Sequence, residues 1–257
     1  MWDVSLYRQY ASERARPFVD LLSQIDRTDC FRIVDLGCGT GEMTRLLAER
    51  WPQAHVLGVD DSSQMLEKAS EYAIPGRLEF VRANISDWTT TQPIDLLFSN
   101  AALQWLPDHS QLFPRLTGLL APRGTLAVQM PNRFRTPSQR ALEKTVDDPR
   151  WQGVLSGVGL HQDSVQPLDW YVRLLMHLHF EVNAWETNYY HIMTGDKPVL
   201  EWLKGTALRP LLALLKPQLS QHFQQELGEL LEASYPAQEG ITIFPMPRVF
   251  MVAHREA

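Results

Sequence analysis

The stretch Ile33-Val34-Asp35-Leu36-Gly37-Cys38-Gly39-Thr40-Gly41 decides the fold. A short apolar run carries an acid and then breaks into three glycines at alternate positions. The pattern reads as a buried strand turning sharply into a helix that starts at Glu42. Glycines there admit backbone dihedrals closed to other residues and let the backbone approach a ligand closely, while the helix start offers free N–H groups. Such a turn is a cradle for a small molecule.

Outward from this turn, strand and helix periods alternate. Strands are expected at 31–36, 56–60, 78–83, 94–99 and 124–130, with helices at 42–50 and 62–72. Their βαβ connections imply an α/β fold with a doubly wound, Rossmann-like, mostly parallel sheet. Upstream, residues 1–29 form a helical segment in which Pro17 opens a second helix. Beyond Pro131 the rhythm breaks. Helical insertions at about 132–177 and 195–240 are expected to cap the sheet, around a long strand at 180–193 and a final strand at 248–253. The whole of 1–257 is read as one domain.

The 257 residues, 44% hydrophobic and 21% charged, suffice for one full core with elaborations. A formal net charge of -6 argues against a nucleic-acid or anionic-membrane partner, which would call for an excess of Lys and Arg. No basic-then-apolar leader opens the chain, and no window reaches the roughly 18 apolar residues of a membrane span. A cytoplasmic monomer is expected. The two cysteines, Cys30 and Cys38, flank the first strand, which holds them apart; Cys38 is read as a lining residue of the loop. No metal site is expected.

Ligands of doubly wound sheets bind at the carboxyl ends of the strands. Asp35 with Gly37, Gly39 and Gly41, Asp60 with Asp61, Asn84 with Ile85, and Asn100 all converge there. An acid ending strand two can accept from both hydroxyls of a ribose, which indicates an adenosine cofactor. The spacing G-x-G-x-G, followed by Glu42 instead of a third small residue, departs from the dinucleotide fingerprint. Glu42 would repel a pyrophosphate, whereas Asp35 favours a cation. S-adenosylmethionine, with its sulfonium and ammonium, supplies the positive charge. Tyr7 and Arg16 join this site if the first segment folds over the cofactor.

The run Val34 to Gly41, followed by Gly58-Val59-Asp60, resembles the first two motifs of the class I S-adenosylmethionine-dependent methyltransferases. The resemblance implies a seven-stranded sheet whose last strand is antiparallel. By it, Asp35 and the loop (Gly37, Cys38, Gly39) hold the methionine end, Asp60 the ribose, and Met65 packs on the adenine. Asn84 stands where an acid commonly meets the adenine amino group, with Ile85 lining the ring. A narrower resemblance runs through Ser5-Leu6-Tyr7, Ser12-Glu13-Arg14, Arg16-Pro17, Asn100 to His109, Leu126 to Pro131, Tyr189-Tyr190-His191, Leu208-Arg209-Pro210 and Pro247-Arg248. These segments are similar to the trans-aconitate methyltransferase family; residues 132–159 match least.

That resemblance implies methyl transfer to a carboxylate of a small polycarboxylic acid, yielding a methyl ester and S-adenosylhomocysteine. A carboxylate, with a pKa of about 4, is already ionised at neutral pH, so no side chain has to act as a base. The remaining task is positioning and exclusion of water. Arg forks and hydroxyls suit the further anionic groups, and Arg209, Arg248, Tyr189, Tyr190 and His191 are the candidates, with Gln104 and Trp105 as a wall near the methyl. Alternation along a strand lets Tyr189 and His191 share one face and puts Tyr190 on the other. Two other readings are a methyltransferase acting on a malonyl thioester of a carrier protein, and a non-catalytic regulator that only binds the cofactor.

Overall fold

The computed structural model describes residues 15–133, 136–155, 165–205 and 208–256, and only the backbone of Gln152, Arg209 and Pro210. The chain folds as two compact units, the first within Met1–Pro131, Ser164–Thr187 and Arg248–Ala257, the second within Asn132–Asp163 and Asn188–Pro247.

The first unit opens with α1 (Arg16–Ser23), which carries Pro17 in its first turn, where a missing N–H costs nothing. Then β1 (Arg32–Leu36), α2 (Glu42–Arg50), β2 (His55–Asp60), α3 (Ser63–Ala69), β3 (Leu78–Arg82), β4 (Ile94–Asn100), α4 (His109–Gly118) and β5 (Leu120–Pro131) follow in turn. α7 (Leu168–His177) belongs to the same unit, after α5 (Pro137–Val146) and α6 (Pro149–Leu155) of the second. Two long strands, β6 (Phe180–Thr194) and β7 (Ile241–Arg255), complete a seven-stranded sheet of order β3-β2-β1-β4-β5-β7-β6. Strands β1 to β5 pair in parallel, and β7 runs antiparallel to β5. The expected seven strands with an antiparallel last one are present.

Alternation splits the sheet's side chains between two layers. Leu97, Leu126, Val128 and Met130 pack with Phe113 of α4 and with Tyr171 and Leu175 of α7. On the opposite face Phe98 meets Phe18 of α1 at 4.7 Å between ring centroids. Order reverses between β1 and β4, so the crevice above their carboxyl ends is the topological switch point.

Several boundaries differ from the pattern reading. The strand expected at 124–130 begins earlier, at Leu120, and carries Pro122-Arg123-Gly124 inside it as an irregularity: Arg123 takes a φ of 59°, and the register against β4 shifts between Ile94 and Leu96. Strand β7 starts seven residues before Arg248, in a stretch where Pro245 and Pro247 disguise it. The helical insertion expected at about 195–240 contains three helices, α8 (Pro198–Lys204), α9 (Arg209–Leu212) and α10 (Pro217–Ser234). Together with α5 and α6 they enclose the second unit's own core, which includes Leu142, Trp151, Leu200, Phe223, Leu227 and Phe244.

Candidate functional site

The glycine loop is built as its sequence demands. Gly37, Gly39 and Gly41 have φ of 79°, 55° and 75°, the left-handed region that a side chain resists. A Cβ on Gly37 would stand 2.2 Å from the Cβ of Ala102, whereas one on Gly39 would meet nothing within 4 Å. The loop is therefore closed below Gly37 and open above Gly39. Backbone bonds from Gly37 N–H and Cys38 N–H to the carbonyl of Val59, at 2.8 and 3.1 Å, lash it to β2. Cys38 is buried, and burial foremost, then the charges of Asp35 and Asp60, push its thiol up and keep it protonated.

Asp35 is buried and accepts a 2.6 Å hydrogen bond from the Thr44 hydroxyl. Burial pushes its carboxyl up to about 7, the charge of Asp60 adds to the rise, and Thr44 opposes it. An acid so placed gains most from a cation bound beside it. Asp60 ends β2 and accepts from Gly39 N–H at 2.9 Å and from Ser62 N–H at 3.0 Å, one on each oxygen. It thereby ties the loop to the start of α3. Asp61 follows, and its backbone carbonyl accepts from Arg82. Met65, in the first turn of α3 with its N–H on the Ser62 hydroxyl, leaves its side chain exposed.

At the end of β3, Asn84 uses its Oδ1 to accept from both the N–H and the hydroxyl of Ser86, at 2.9 and 2.8 Å. What Asn84 offers a ligand is therefore its Nδ2 donor. Ile85 beside it is half-buried. Asn100, at the end of β4, has a buried Oδ1 that no hydrogen bond reaches among the described residues. Gln129, in register with it on β5, is wholly buried, and among the described residues neither atom of its amide has a hydrogen-bond partner.

The open space above Gly39, the buried acid and the orphaned Oδ1 fit a cationic amino-acid head, as in S-adenosylmethionine. Asp35, Gly37, Cys38, Gly39 and Asn100 come together at the carboxyl ends of β1 and β4, with Asp60 ending the neighbouring β2 and Asp61 and Met65 following it in the chain. Arg16 stands exposed at the head of α1. Tyr7 lies outside the described residues.

Among the acceptor candidates, Gln104 donates from Nε2 to the carbonyl of Ala101 at 2.7 Å and so braces the turn that presents it. Trp105 beside it is 59% exposed. Arg248 enters the sheet on β7 opposite Pro131. Tyr189, Tyr190, His191 and Arg209 belong to the second unit. Tyr189 and His191 are buried on one face of β6, the imidazole edge-on to Trp202 at 4.8 Å, while Tyr190 points the other way and is 60% exposed. Arg209 is the first residue of α9, and its side chain is outside the described residues.

One constellation went unread in the sequence. His109 is buried, its Nε2 3.0 Å from the carbonyl of Leu103 and its Nδ1 against the hydroxyl of Tyr171. Tyr171 in turn accepts from Gln166 N–H at 3.0 Å. These bonds assign a neutral Nε2–H imidazole, in keeping with burial driving its pKa down. They pin the turn Leu103–Trp105 to the core. A lone histidine after Pro107-Asp108 carries no such signal by itself, because its partner Tyr171 is 62 residues away. Among the described residues no cluster of His, Cys, Asp or Glu could hold a metal ion, and no helix is long and apolar enough to cross a membrane.

Residues 33–124 match the model of a methyltransferase domain. A trans-aconitate 2-methyltransferase of Streptomyces avermitilis is 46% identical over 100% of this chain and 97% of its own. One of Mycolicibacterium gilvum is 43% identical over 98% of each. This chain belongs to the trans-aconitate 2-methyltransferase family. Its fold is shared with an S-adenosylmethionine-dependent methyltransferase of Mesorhizobium loti, at a TM-score of 0.53 and 20% identity, over 92% of this chain and 96% of that one. S-adenosylmethionine is the cofactor of this family.

Proposed function

We propose that this chain transfers a methyl group from S-adenosylmethionine to one carboxylate of trans-aconitate. One observation carries the proposal: similarity to enzymes of that name extends through residues 132–163 and 188–247, well beyond the donor half that every such methyltransferase shares. Neither a carrier-protein thioester nor a non-catalytic role has comparable support.

When bound, the cofactor supplies a methyl group on a sulfonium, and transfer to a carboxylate oxygen gives a monomethyl ester and S-adenosylhomocysteine. The protein's own residues bind and orient. Asp35 and the Asn100 Oδ1 receive the ammonium; Asp60 turns from the Gly39 and Ser62 N–H groups toward ribose hydroxyls; Met65 and Ile85 flank the adenine and Asn84 Nδ2 donates to it. No proton has to move, since the acceptor arrives ionised. Arg248 and Arg209 hold the carboxylates that do not react, Tyr190 offers the hydroxyl of its triplet that a solute can reach, and Gln104 with Trp105 screens the methyl from water. Tyr189 and His191 support Tyr190 from within the second unit. We further take the enzyme to act in the cytoplasm as a monomer without nucleic acid or membrane, a reading supported by the net charge of -6.

The test is transfer of labelled methyl to trans-aconitate, citrate and isocitrate side by side, with the ester identified by mass. Label appearing in a trans-aconitate monoester in preference to the other two acids supports the proposal. Tight cofactor binding with no transfer to any of the three would sink it.

A further inference from the structure

Gln129 has a fully buried amide with no hydrogen-bond partner for either atom among the described residues, although its backbone carbonyl is satisfied by Ala101 N–H at 2.9 Å. A group like this opposes folding and persists where a ligand supplies the missing partners. Its placement says which ligand. Asn100 on β4, Gln129 on β5 and Phe250 on β7 are in register. Their side chains therefore rise in one row from one face of the sheet. Asp35 lies on that face, because it is aligned with Phe98, two residues before Asn100.

The row begins beside the donor's cradle with the orphaned Oδ1 of Asn100 and ends with Phe250, whose ring lies flat on Trp185 at 4.9 Å. Gln129 stands between them, one strand spacing, about 4.8 Å, from Asn100. Asn100 Oδ1 can only accept a hydrogen bond, which suits an ammonium. Gln129 carries an acceptor and a donor on one rigid amide. In a site where a cationic head meets an anionic acceptor, such an amide faces both.

We propose that Gln129 positions the methyl acceptor: its Nε2 donates to a carboxylate oxygen of the polycarboxylate, while its Oε1, alongside Asn100 Oδ1, accepts from the ammonium of the donor. This rests on the function proposed above. The amide is oriented by the donor and thereby aims the acceptor.

Gln129→Met keeps the volume and removes both polar atoms. The unliganded variant should melt about 2 to 4 °C higher than wild type, since an unpaired buried amide is gone. Its KM for trans-aconitate should rise at least about tenfold, whereas its calorimetric Kd for S-adenosylmethionine, which loses one acceptor for its ammonium but keeps Asn100 and Asp35, should rise by a clearly smaller factor. Gln129→Glu keeps an oxygen toward the ammonium and loses the donor. It should raise the acceptor KM further and leave donor binding equal or tighter. A Gln129→Met protein that melts lower with an unchanged acceptor KM, or variants that weaken donor and acceptor alike, would overturn the assignment. A wild type that binds the donor but never methylates trans-aconitate overturns the proposed function and this inference together; an active wild type whose Gln129 variants keep its KM overturns the inference alone.

Discussion

Asp35 is a carboxylate held where its charge is unwelcome until a cation arrives. Its folded-state pKa, pushed up to about 7, lies above the ordinary 3.8, so folding favours the protonated form. The resulting stability is present in full below about pH 4 and is lost as pH rises through about 7, by at most about 1.4 kcal/mol per unit. Unfolding of the unliganded protein between pH 5 and 8, compared with Asp35→Asn, should show this loss in wild type alone. A cationic ligand selects the ionised form, so S-adenosylmethionine should bind more tightly as pH rises toward 7. It should also release a proton near pH 6, read by calorimetry in buffers of different ionisation heat. Asp60→Ala removes two acceptor oxygens that hold Gly39 and Ser62, and it should weaken donor binding by about 1 to 3 kcal/mol with little change in the acceptor KM. Both acids were readable in the sequence because each falls at the end of an apolar strand or one residue before it. Gln129 was not, since one amide among the apolar residues of Leu126 to Pro131 looks like an ordinary interruption until the register shows it buried beside Asn100.

The glycine loop separates two functions that a single substitution can test apart. Gly37→Ala forces a left-handed alanine and drives its methyl into Ala102, and should cost at least about 2 kcal/mol of stability along with donor binding. Gly39→Ala meets open space, so it should retain most of its stability, at a cost of about 1 kcal/mol, yet lose donor affinity more than about tenfold. Denaturant titrations paired with calorimetry read both. Elements with a clean period, such as Glu42–Arg50 and Leu168–His177, could be placed from sequence to the residue. Those with prolines or a bulge could not: β7 hides its first seven residues behind Pro245 and Pro247, and β5 hides its start behind Arg123.

Each unit has its own buried core, one around Phe113 and Tyr171, the other around Phe223 and Phe244. Two cores predict unfolding that departs from a single transition. A saturating donor, at about 100 times its Kd, should raise the stability of the first unit by about 2.7 kcal/mol and leave the second transition in place. Differential scanning calorimetry with and without S-adenosylmethionine distinguishes this from one cooperative melt. The order β5-β7-β6 also has a consequence for synthesis on the ribosome. Strand β6 is translated about 60 residues ahead of the strand that joins it to the sheet, on the order of 3 to 12 seconds at typical elongation rates. For that interval the nascent chain exposes one bare edge on β5 and another on β6, which makes this the step of its biogenesis most in need of a chaperone.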